Sequence, residues 1–389
     1  MSMNRKNVLF VINTLTTGGA NSSLSALYAR MKEDYDIKVF ALCHDGNAEA
    51  HGFLSALLPK DRTVDAFFGD FAKASRSNII YKLIVKILRR MCNTLRIDLE
   101  RIVYSHAVKS LERKYHFDVV VAFQEEASAL FASMFSCRRK VAWIHCDFTR
   151  GYPHNDADIY KHYGQIVFVS RYTEEQFLKK FPHYRGKTTY VYNFLDEQRI
   201  IKLSKEPVTD IAMSSEDGYF NVLSLGRIVP LKRFCKIPQL VSDIKAGGCM
   251  VRWIILGPRF DDEEFVRLTD NIRKYGVENE VIWLGGKDNP YPYMAKSQLC
   301  VALSTTEACP MIFNEARVLS VPIVSTDFGS AYEFINSGTD GYVCPIERIA
   351  SVVSKLCSDA ECYSHIRKNA DTRYINNEEI CMKLHTILC

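Results

Sequence analysis

The apolar positions of this chain fall into short runs that alternate with longer stretches in which apolar residues repeat at helical spacing. Short apolar runs predict strands, and strands that alternate with helices form parallel sheets covered by helices. The pattern therefore predicts an α/β fold with two doubly wound sheets. The predicted strands cover residues 8–12, 37–42, 119–123, 141–144, 166–169, 188–192, 219–225, 251–256, 280–284, 299–303 and 323–325.

The alternation stops between residues 201 and 218, a segment rich in Lys, Ser, Glu, Pro and Asp, which we interpret as a linker. It divides the chain into an N-terminal domain, 1–200, and a C-terminal domain, 219–373. The 389 residues are enough for two cores. Ligands of such sheets bind at the C-terminal ends of the strands, so we expect a site in a cleft between the domains.

Two glutamates follow the predicted strand 299–303. Glu307 falls in the loop, and Pro310 stands where a helix would begin, since proline suits the first helical position. Glu315 then lies roughly 7 Å along that helix. The helix N-terminus between the two carboxylates suits phosphate, and each carboxylate can accept hydrogen bonds from a diol. A nucleoside-diphosphate sugar has this layout, whereas the alternative is two solvated acids beside an ordinary helix.

The segment 299–345 resembles the Glu-x7-Glu region of retaining GT-B glycosyltransferases of family 4. The resemblance implies that Glu307 contacts the donor sugar and Glu315 the ribose. It also implies two Rossmann-like domains, with a last helix at about 374–389 that packs on the first. The matching residues are Glu307, Pro310, Glu315, Ala316, the run 322–327, Glu333 and the run 341–345. The expected donor-binding residues at the helix start are Cys309, Pro310, Met311 and Ile312.

A basic pair follows the predicted strand 219–225. Arg227 comes directly after Gly226, and Lys232 comes five residues later. A planar guanidinium and a compact ammonium both suit a diphosphate. The segment resembles the Gly-Arg…Lys donor-phosphate motif of the family, and its cations would make a metal unnecessary. The alternative is a basic loop without a ligand.

A glycine pair follows the first predicted strand. Gly18 and Gly19 would let the backbone approach a ligand closely, and they resemble the Gly-Gly loop of the family that faces donor and acceptor. A plain tight turn is the alternative. Many relatives carry Glu where this chain has Asn21, so no role is transferred to Asn21.

His145 falls just after the predicted strand 141–144, where the family has a histidine at the reaction centre. The alternative is a structural histidine held by hydrogen bonds, which is common after an apolar strand. Asp147 is a candidate for binding acceptor hydroxyls. Asn193 resembles the first residue of an Asn-x-x-Asp turn that ends at Asp196, although asparagine also favours ordinary turns.

The run 283–291, with Gly285 and Lys287, resembles the base-recognition loop of the family, and the alternative is an ordinary Gly-Pro turn. The pair Asp261 and Asp262 superficially suggests a metal site. Because two glutamates follow, we interpret this pair as the acidic first turn of a helix.

Composition narrows the class of protein. The formal net charge of +5 does not by itself indicate nucleic acid. The thirteen cysteines include no C-x-x-C pair and no zinc pattern, so we expect a reducing cytoplasm. Residues 79–96 read as a basic amphipathic helix. Such a helix can lie on an anionic membrane surface or pack on its own domain, and both interpretations stay open.

Together these features predict a retaining, metal-independent hexosyltransferase without a cofactor. The expected donor is a UDP-sugar, and the expected acceptor is a saccharide or a lipid-linked saccharide in surface polysaccharide synthesis. The expected location is cytoplasmic, peripheral on the membrane if 79–96 binds it. Two alternatives stay open: a sugar-nucleotide epimerase on the same fold, and a non-catalytic nucleotide-sugar binding protein.

Overall fold

The computed structural model describes residues 5–14, 18–43, 63–64, 99–148, 157–211, 213, 217–370 and 376–389. The chain divides into two compact units. The first comprises Met1–Phe194 together with Asn377–Cys389, and the second comprises Leu195–Asn376.

The first unit is built on a seven-stranded parallel sheet with the order β3-β2-β1-β4-β5-β6-β7. Helices cover it, and the interior strand β1 is buried from Val8 to Ile12, as expected for a strand covered on both faces. The strands are β1 (Asn7–Thr14), β2 (Asp36–Cys43), β3 (Thr63–Val64), β4 (Val119–Ala122), β5 (Arg139–Ile144), β6 (Gln165–Phe168) and β7 (Thr188–Tyr190). The helices in its N-terminal stretch are α1 (Gly19–Met31), α2 (Leu99–Lys114), α3 (Ala127–Ser133) and α4 (Arg171–Lys180), with 3-10 turns at Ala157–His162 and Pro182–Lys187.

The second unit is built on a six-stranded parallel sheet with the order β10-β9-β8-β11-β12-β13. Its strands are β8 (Phe220–Leu225), β9 (Val251–Leu256), β10 (Val281–Trp283), β11 (Leu299–Ala302), β12 (Ile323–Thr326) and β13 (Gly341–Cys344). Its helices are α5 (Glu197–Leu203), α6 (Ile237–Ala246), α7 (Asp262–Tyr275), α8 (Tyr291–Lys296), α9 (Met311–Val318), α10 (Ala331–Phe334), α11 (Ile346–Ser358) and α12 (Ala360–Asn369). Two 3-10 turns, Pro230–Lys232 and Phe234–Lys236, follow β8.

The predicted fold class, two doubly wound parallel sheets, is confirmed. Each predicted strand overlaps an observed one, and two observed strands were not predicted. β3 has only two residues, too few for a pattern to register. β13 begins at Gly341, where a Cβ would lie 2.4 Å from the Ile323 carbonyl oxygen.

The boundary between the units lies elsewhere than the predicted linker 201–218. The chain enters the second unit at Leu195, and α5 occupies the residues directly after it. The side chain of Asp196 caps this helix by accepting a hydrogen bond from the Arg199 amide at 3.0 Å. Ile200 is buried, and α5 continues to Leu203, so the first three residues of the predicted linker are helical.

The last helix, α13 (Asn377–Leu388), is part of the first unit. The Arg139 guanidinium, at the start of β5, donates to the carbonyl oxygens of Thr386 and Ile387 at 2.9 and 2.8 Å. The Tyr35 hydroxyl lies 2.8 Å from His385 Nδ1, and the two rings stack at 5.6 Å.

The predicted amphipathic helix at 79–96 lies outside the described residues. Within the part of the chain that the structure describes, no helix combines the length and the apolar character needed to cross a bilayer.

Candidate functional site

Four neighbouring strands of the second unit, in the order β10-β9-β8-β11, end along one edge of their sheet. They are parallel, so the segments that follow them are brought together there. These segments carry most of the predicted site residues of the C-terminal half, including Arg227, Lys232 and Glu307.

Two glycines bring the ends of β8 and β9 into close contact. Gly257 has φ +155°, and a Cβ there would lie 1.8 Å from the Gly226 carbonyl oxygen. Gly226 has φ +147°, and a Cβ would lie 2.9 Å from Lys232 Cε. The missing side chain at Gly226 therefore lets Lys232 fold back over the strand end. The Gly257 amide also donates to the Gly285 carbonyl oxygen at 2.8 Å, which joins the loop after β10 to this edge.

Lys232 and Glu307, predicted separately from two motifs, form an ion pair. Lys232 Nζ lies 2.5 Å from Glu307 Oε1, and the Ser304 hydroxyl donates to the same oxygen at 2.7 Å. The Ser330 hydroxyl donates to the Glu307 carbonyl oxygen at 2.6 Å, which fixes the backbone. Both charged side chains remain partly exposed, 24% and 19%. Lys232 keeps further N–H donors, and Glu307 keeps a second carboxylate oxygen for a ligand.

Arg233 was not predicted, and it ties the loop after β8 to the end of β11. Its guanidinium donates to the carbonyl oxygens of Leu303 and Ser304 at 2.6 and 2.9 Å. Its backbone is left-handed, φ 51°. The sequence offered no signal that separates this structural arginine from its basic neighbours.

The Arg227 guanidinium lies 4.6 Å from the centre of the Phe260 ring. Among the described residues it forms no ion pair and no hydrogen bond. The cation at the tip of β8 is therefore exposed and not neutralised by a described acid.

The helix predicted after Glu307 is α9, with one correction at its start. Pro310 was predicted at the first helical position, but it is the residue before the helix, with ψ 111°. Helix α9 begins at Met311, so Glu315 is its fifth residue. Cys309 and Ile312 are buried at the turn. The first amides of a helix have no acceptor within it, so this N-terminus has donors for an anion.

Glu315 is 6% exposed, and burial raises the pKa of its carboxyl from 4.5 to about 7. The Tyr291 hydroxyl donates to Glu315 Oε1 at 3.3 Å, which opposes that rise. Burial raises the pKa of Tyr291 as well. Tyr291 had no predicted role, although it stands next to the predicted base-recognition loop. The structure shows that it joins this loop to the carboxylate predicted to bind ribose.

Lys287, predicted to bind the donor, is engaged by an acid of its own unit. Its Nζ lies 2.6 Å from Asp210, which also accepts from the Tyr293 hydroxyl at 2.8 Å. The hydrogen bond from Lys287 lowers the pKa of Asp210. Asn289 donates to the Leu203 carbonyl oxygen at 3.0 Å. The side chains of this loop thus hold the segment after α5, and the loop turns at Gly285, which has φ +73°.

In the first unit, Gly18 and Gly19 begin α1. Gly18 is extended, and a Cβ there would meet nothing within 4 Å in the described structure. The described surroundings therefore do not require glycine at this position, and the alternative of a plain turn remains open. Asn21 donates to the Thr14 carbonyl oxygen at 2.8 Å and so links α1 to the end of β1.

His145 directly follows β5 in the first unit. Its ring lies 4.7 Å from that of Phe123, and burial lowers its pKa to about 3, so the imidazole is neutral at pH 7. Its Nε2 atom is buried and has no hydrogen-bond partner among the described residues. Asp147 and Asn193, the predicted acceptor residues, are buried at 8% and 3% exposure.

Glu125 supports the His145 backbone and was not predicted. Its carboxylate accepts hydrogen bonds from the amides of His145 and Cys146, the latter at 2.7 Å. Burial raises its pKa. The next residue, Glu126, has a left-handed φ of 58° before α3 begins. The available signal was a pair of acids directly after an apolar strand.

The adjacent residues Asp261 and Asp262 have different partners and do not form a common site. Asp261 caps α7 by accepting from the Glu264 amide at 2.9 Å, and Asp262 pairs with Arg259 at 2.6 Å. The interpretation as an acidic first turn is confirmed. The described ranges contain no group of three or more His, Cys, Asp or Glu side chains placed to hold a metal.

Residues 211–373 match the family model described as glycosyl transferases group 1. The chain is 24% identical over 188 residues to N-acetyl-alpha-D-glucosaminyl L-malate synthase of Bacillus anthracis, covering 46% of this chain and 47% of that protein. It is 26% identical over 183 residues to the N-acetylgalactosamine-N,N'-diacetylbacillosaminyl-diphospho-undecaprenol 4-alpha-N-acetylgalactosaminyltransferase of Campylobacter jejuni, covering 47% of each chain. The chain thus spans about half the length of these curated relatives.

The fold is similar to that of Anabaena HepE, solved in complex with UDP and glucose. The TM-score is 0.75 at 17% identity, and the match covers 98% of this chain and 100% of that one. This likeness establishes the GT-B fold, two Rossmann-like domains.

Proposed function

We propose that this protein is a retaining glycosyltransferase that moves a hexose from a nucleotide sugar to a hydroxyl group. The observation that carries the proposal is the Lys232–Glu307 pair, which joins the predicted phosphate and sugar motifs at one sheet edge. The match of residues 211–373 to group 1 glycosyl transferases supports it, because that segment holds this edge.

The donor is a UDP-sugar whose diphosphate is bound by cations and amides. Arg227, Lys232 and the first amides of α9 supply positive charge along the sheet edge. Glu307 accepts a hydrogen bond from a hexose hydroxyl, and Glu315, held by Tyr291, accepts from the ribose diol. The UDP and glucose in the similarly folded HepE structure support this choice of donor.

The reaction transfers the hexose anomeric carbon from a phosphate oxygen to an acceptor oxygen, and the acceptor proton leaves with the nucleoside diphosphate. Negative charge grows on the departing diphosphate, where Arg227, Lys232 and the α9 amides stabilise it. Because these groups are cationic or donate N–H bonds, the proposed mechanism uses no metal. Front-side displacement with retention is what the family resemblance implies.

The N-terminal unit is proposed to supply the acceptor-side groups, with His145 near the reaction centre and Asp147 and Asn193 for acceptor hydroxyls. His145 would act as a neutral hydrogen-bonding group. A lipid-linked saccharide is the proposed acceptor. The Campylobacter jejuni relative supports that choice, because its name specifies a diphospho-undecaprenol acceptor.

The test is incubation with a panel of nucleotide sugars, with and without lipid-linked saccharides. We expect release of UDP that increases with acceptor, together with a larger saccharide product. A changed sugar nucleotide without transfer would favour an epimerase, and binding without turnover would favour a binding protein.

The variant Glu307→Gln tests the role of the Glu307 carboxylate in this reaction. It keeps the side-chain size but removes the charge that pairs with Lys232, and we expect transfer to fall at least a hundredfold. Asp270→Asn is the control, because Asp270 forms an exposed ion pair with Arg273. Transfer by Glu307→Gln at the rate of the control would rule out the proposed role.

A further inference from the structure

We propose that Phe260 is a positioning residue of the diphosphate site, with its ring serving as the platform on which the Arg227 guanidinium is held. The inference rests on the proposed function and extends it to a residue outside the motifs that carry the family resemblance. The guanidinium lies 4.6 Å from the ring centre.

Phe260 is poorly placed for a core residue. It is 64% exposed, whereas a phenylalanine that contributes to folding by burial is usually inside. Burial therefore does not account for its position, whereas the contact with Arg227 gives the exposed ring a partner. A cation over an aromatic face is attracted by the negative charge on that face.

The loop that carries Phe260 is fixed to the loop that carries Arg227. The Ile228 amide donates to the Pro258 carbonyl oxygen at 3.0 Å, and the Asp261 amide donates back to Ile228 at 3.1 Å. The two bonds flank Phe260 on its own loop, and both join it to Ile228, the residue next to Arg227. Ring and guanidinium are thus presented to each other by backbone geometry.

The neighbouring Arg259–Phe265 pair differs from the Arg227–Phe260 pair in whether an acid neutralises the arginine. The Arg259 guanidinium lies 4.7 Å from the Phe265 ring, but it also pairs with Asp262 at 2.6 Å. Arg227 has a ring and no acid among the described residues. One arginine is neutralised, and the other keeps its charge at the tip of β8.

A guanidinium lying against a ring can still donate. Its N–H groups point outward in its own plane, so one face contacts the ring while the edge is available to phosphate oxygens. The ring therefore restricts a long, exposed side chain to orientations that suit the diphosphate. This reduces the conformational entropy that Arg227 loses when UDP binds.

The experiment measures the Kd of UDP by calorimetry for the full chain. Phe260→Ala and Phe260→Leu should both weaken binding about two- to fivefold, because an exposed cation–π contact contributes about that factor. Phe260→Trp should restore wild-type affinity. Leucine keeps apolar bulk without an aromatic face, so its failure to rescue would separate a platform from simple packing.

A double-mutant cycle ties the effect to Arg227. In an Arg227→Met background, Phe260→Ala should change the Kd of UDP by less than about 1.5-fold, because the ring then has no guanidinium to hold. Val266→Ala is the control, because Val266 is an exposed apolar residue on the adjacent helix α7. It should bind UDP as the wild type does.

The two proposals fail in different ways. If the wild type binds UDP and Phe260→Ala binds equally well, the platform is wrong while the donor site stands. An equal loss in the Arg227→Met background would also overturn the platform. If the wild type binds no nucleoside diphosphate, the proposed function fails and the platform fails with it.

Discussion

Glu315 carries a carboxyl group whose burial disfavours the ionised form. In the folded protein burial raises its pKa to about 7, whereas in the unfolded chain it titrates near 4.5. A hydrogen bond from Tyr291 compensates only in part. Such a carboxylate is a ready acceptor for ligand hydroxyls, because it lacks a full set of protein donors.

This pKa predicts how stability depends on pH. Between pH 4.5 and 7 the folded protein keeps a proton on Glu315 that the unfolded chain has lost, so the free energy of unfolding falls as pH rises. Glutamine does not ionise, so the Glu315→Gln variant does not lose stability in this way as the pH rises. We expect Glu315→Gln to be more stable than the wild type by on the order of 3 kcal/mol at pH 8, and by only about 1 kcal/mol at pH 5.

Thermal melts of both proteins at pH 5, 6, 7 and 8 provide the measurement. Comparing the two at each pH cancels the titration of every other group. A difference in Tm that stays constant from pH 5 to 8 would show that the pKa of Glu315 is not raised.

Glu125 acts through the backbone of another residue, since its carboxylate accepts the amides of His145 and Cys146. Glu125→Leu should leave both amides without an acceptor and cost about 2–5 kcal/mol of stability. Glu125→Gln retains an acceptor oxygen and should stay within about 1 kcal/mol of the wild type. Urea unfolding followed by fluorescence would measure the free energy of unfolding. Equal stability of the two variants would refute the role of Glu125 as acceptor for these amides.

At the scale of elements, the site depends on how closely two strand ends approach. The ends of β8 and β9 touch at Gly226 and Gly257. That contact sets the direction in which the loops with Arg227 and Lys232 leave the sheet. This geometry depends on both strands together, so the sequence motif after one strand does not produce it alone.

Gly257→Ala should therefore disrupt this edge. Its Cβ would overlap the Gly226 carbonyl oxygen, and its φ of +155° disfavours any side chain. We expect a loss of about 3 kcal/mol or more and of UDP binding. Gly164→Ala is the control, because it lies in the first unit and its Cβ would meet only the Lys140 carbonyl oxygen, at an ordinary 3.9 Å. Calorimetry of both variants with UDP gives the comparison, and a stable, UDP-binding Gly257→Ala protein would contradict it.

At the scale of the whole molecule, each unit has its own sheet and its own hydrophobic core. The last helix, α13, belongs to the first unit although it follows the second in sequence. Its buried face contains Ile380, Leu384 and Leu388.

Removal of residues 377–389 should therefore destabilise the first unit selectively. Differential scanning calorimetry should show one transition lowered by several degrees, while a saturating concentration of UDP raises the other. At 100 times its Kd, UDP adds about 2.7 kcal/mol to the unit that binds it. A truncation that lowers both transitions equally would show that α13 does not act on the first unit alone.

The sequence by itself determined the two parallel sheets and the order of the site motifs. Largely apolar runs such as 299–303 and 251–256 are short, as strands buried on both faces of a parallel sheet are, and their alternation with helical patterns identifies them. Glu307 and Lys232 could also be selected from sequence, because each lies in the loop segment after such a run, four residues beyond 303 and seven beyond 225.

Only the tertiary structure decided which side chains meet. Lys232 and Glu307 are 75 positions apart, and their ion pair exists because β8 and β11 are neighbours in the sheet. The engagement of Lys287 by Asp210 and the support of His145 by Glu125 likewise depend on contacts distant in sequence. The local sequence pattern predicts which face of a helix or strand is buried. Hydrogen bonds and ring contacts depend instead on how separate elements are arranged in three dimensions. For the same reason no sequence pattern marked Phe260, whose partner is fixed by the pairing of two loops.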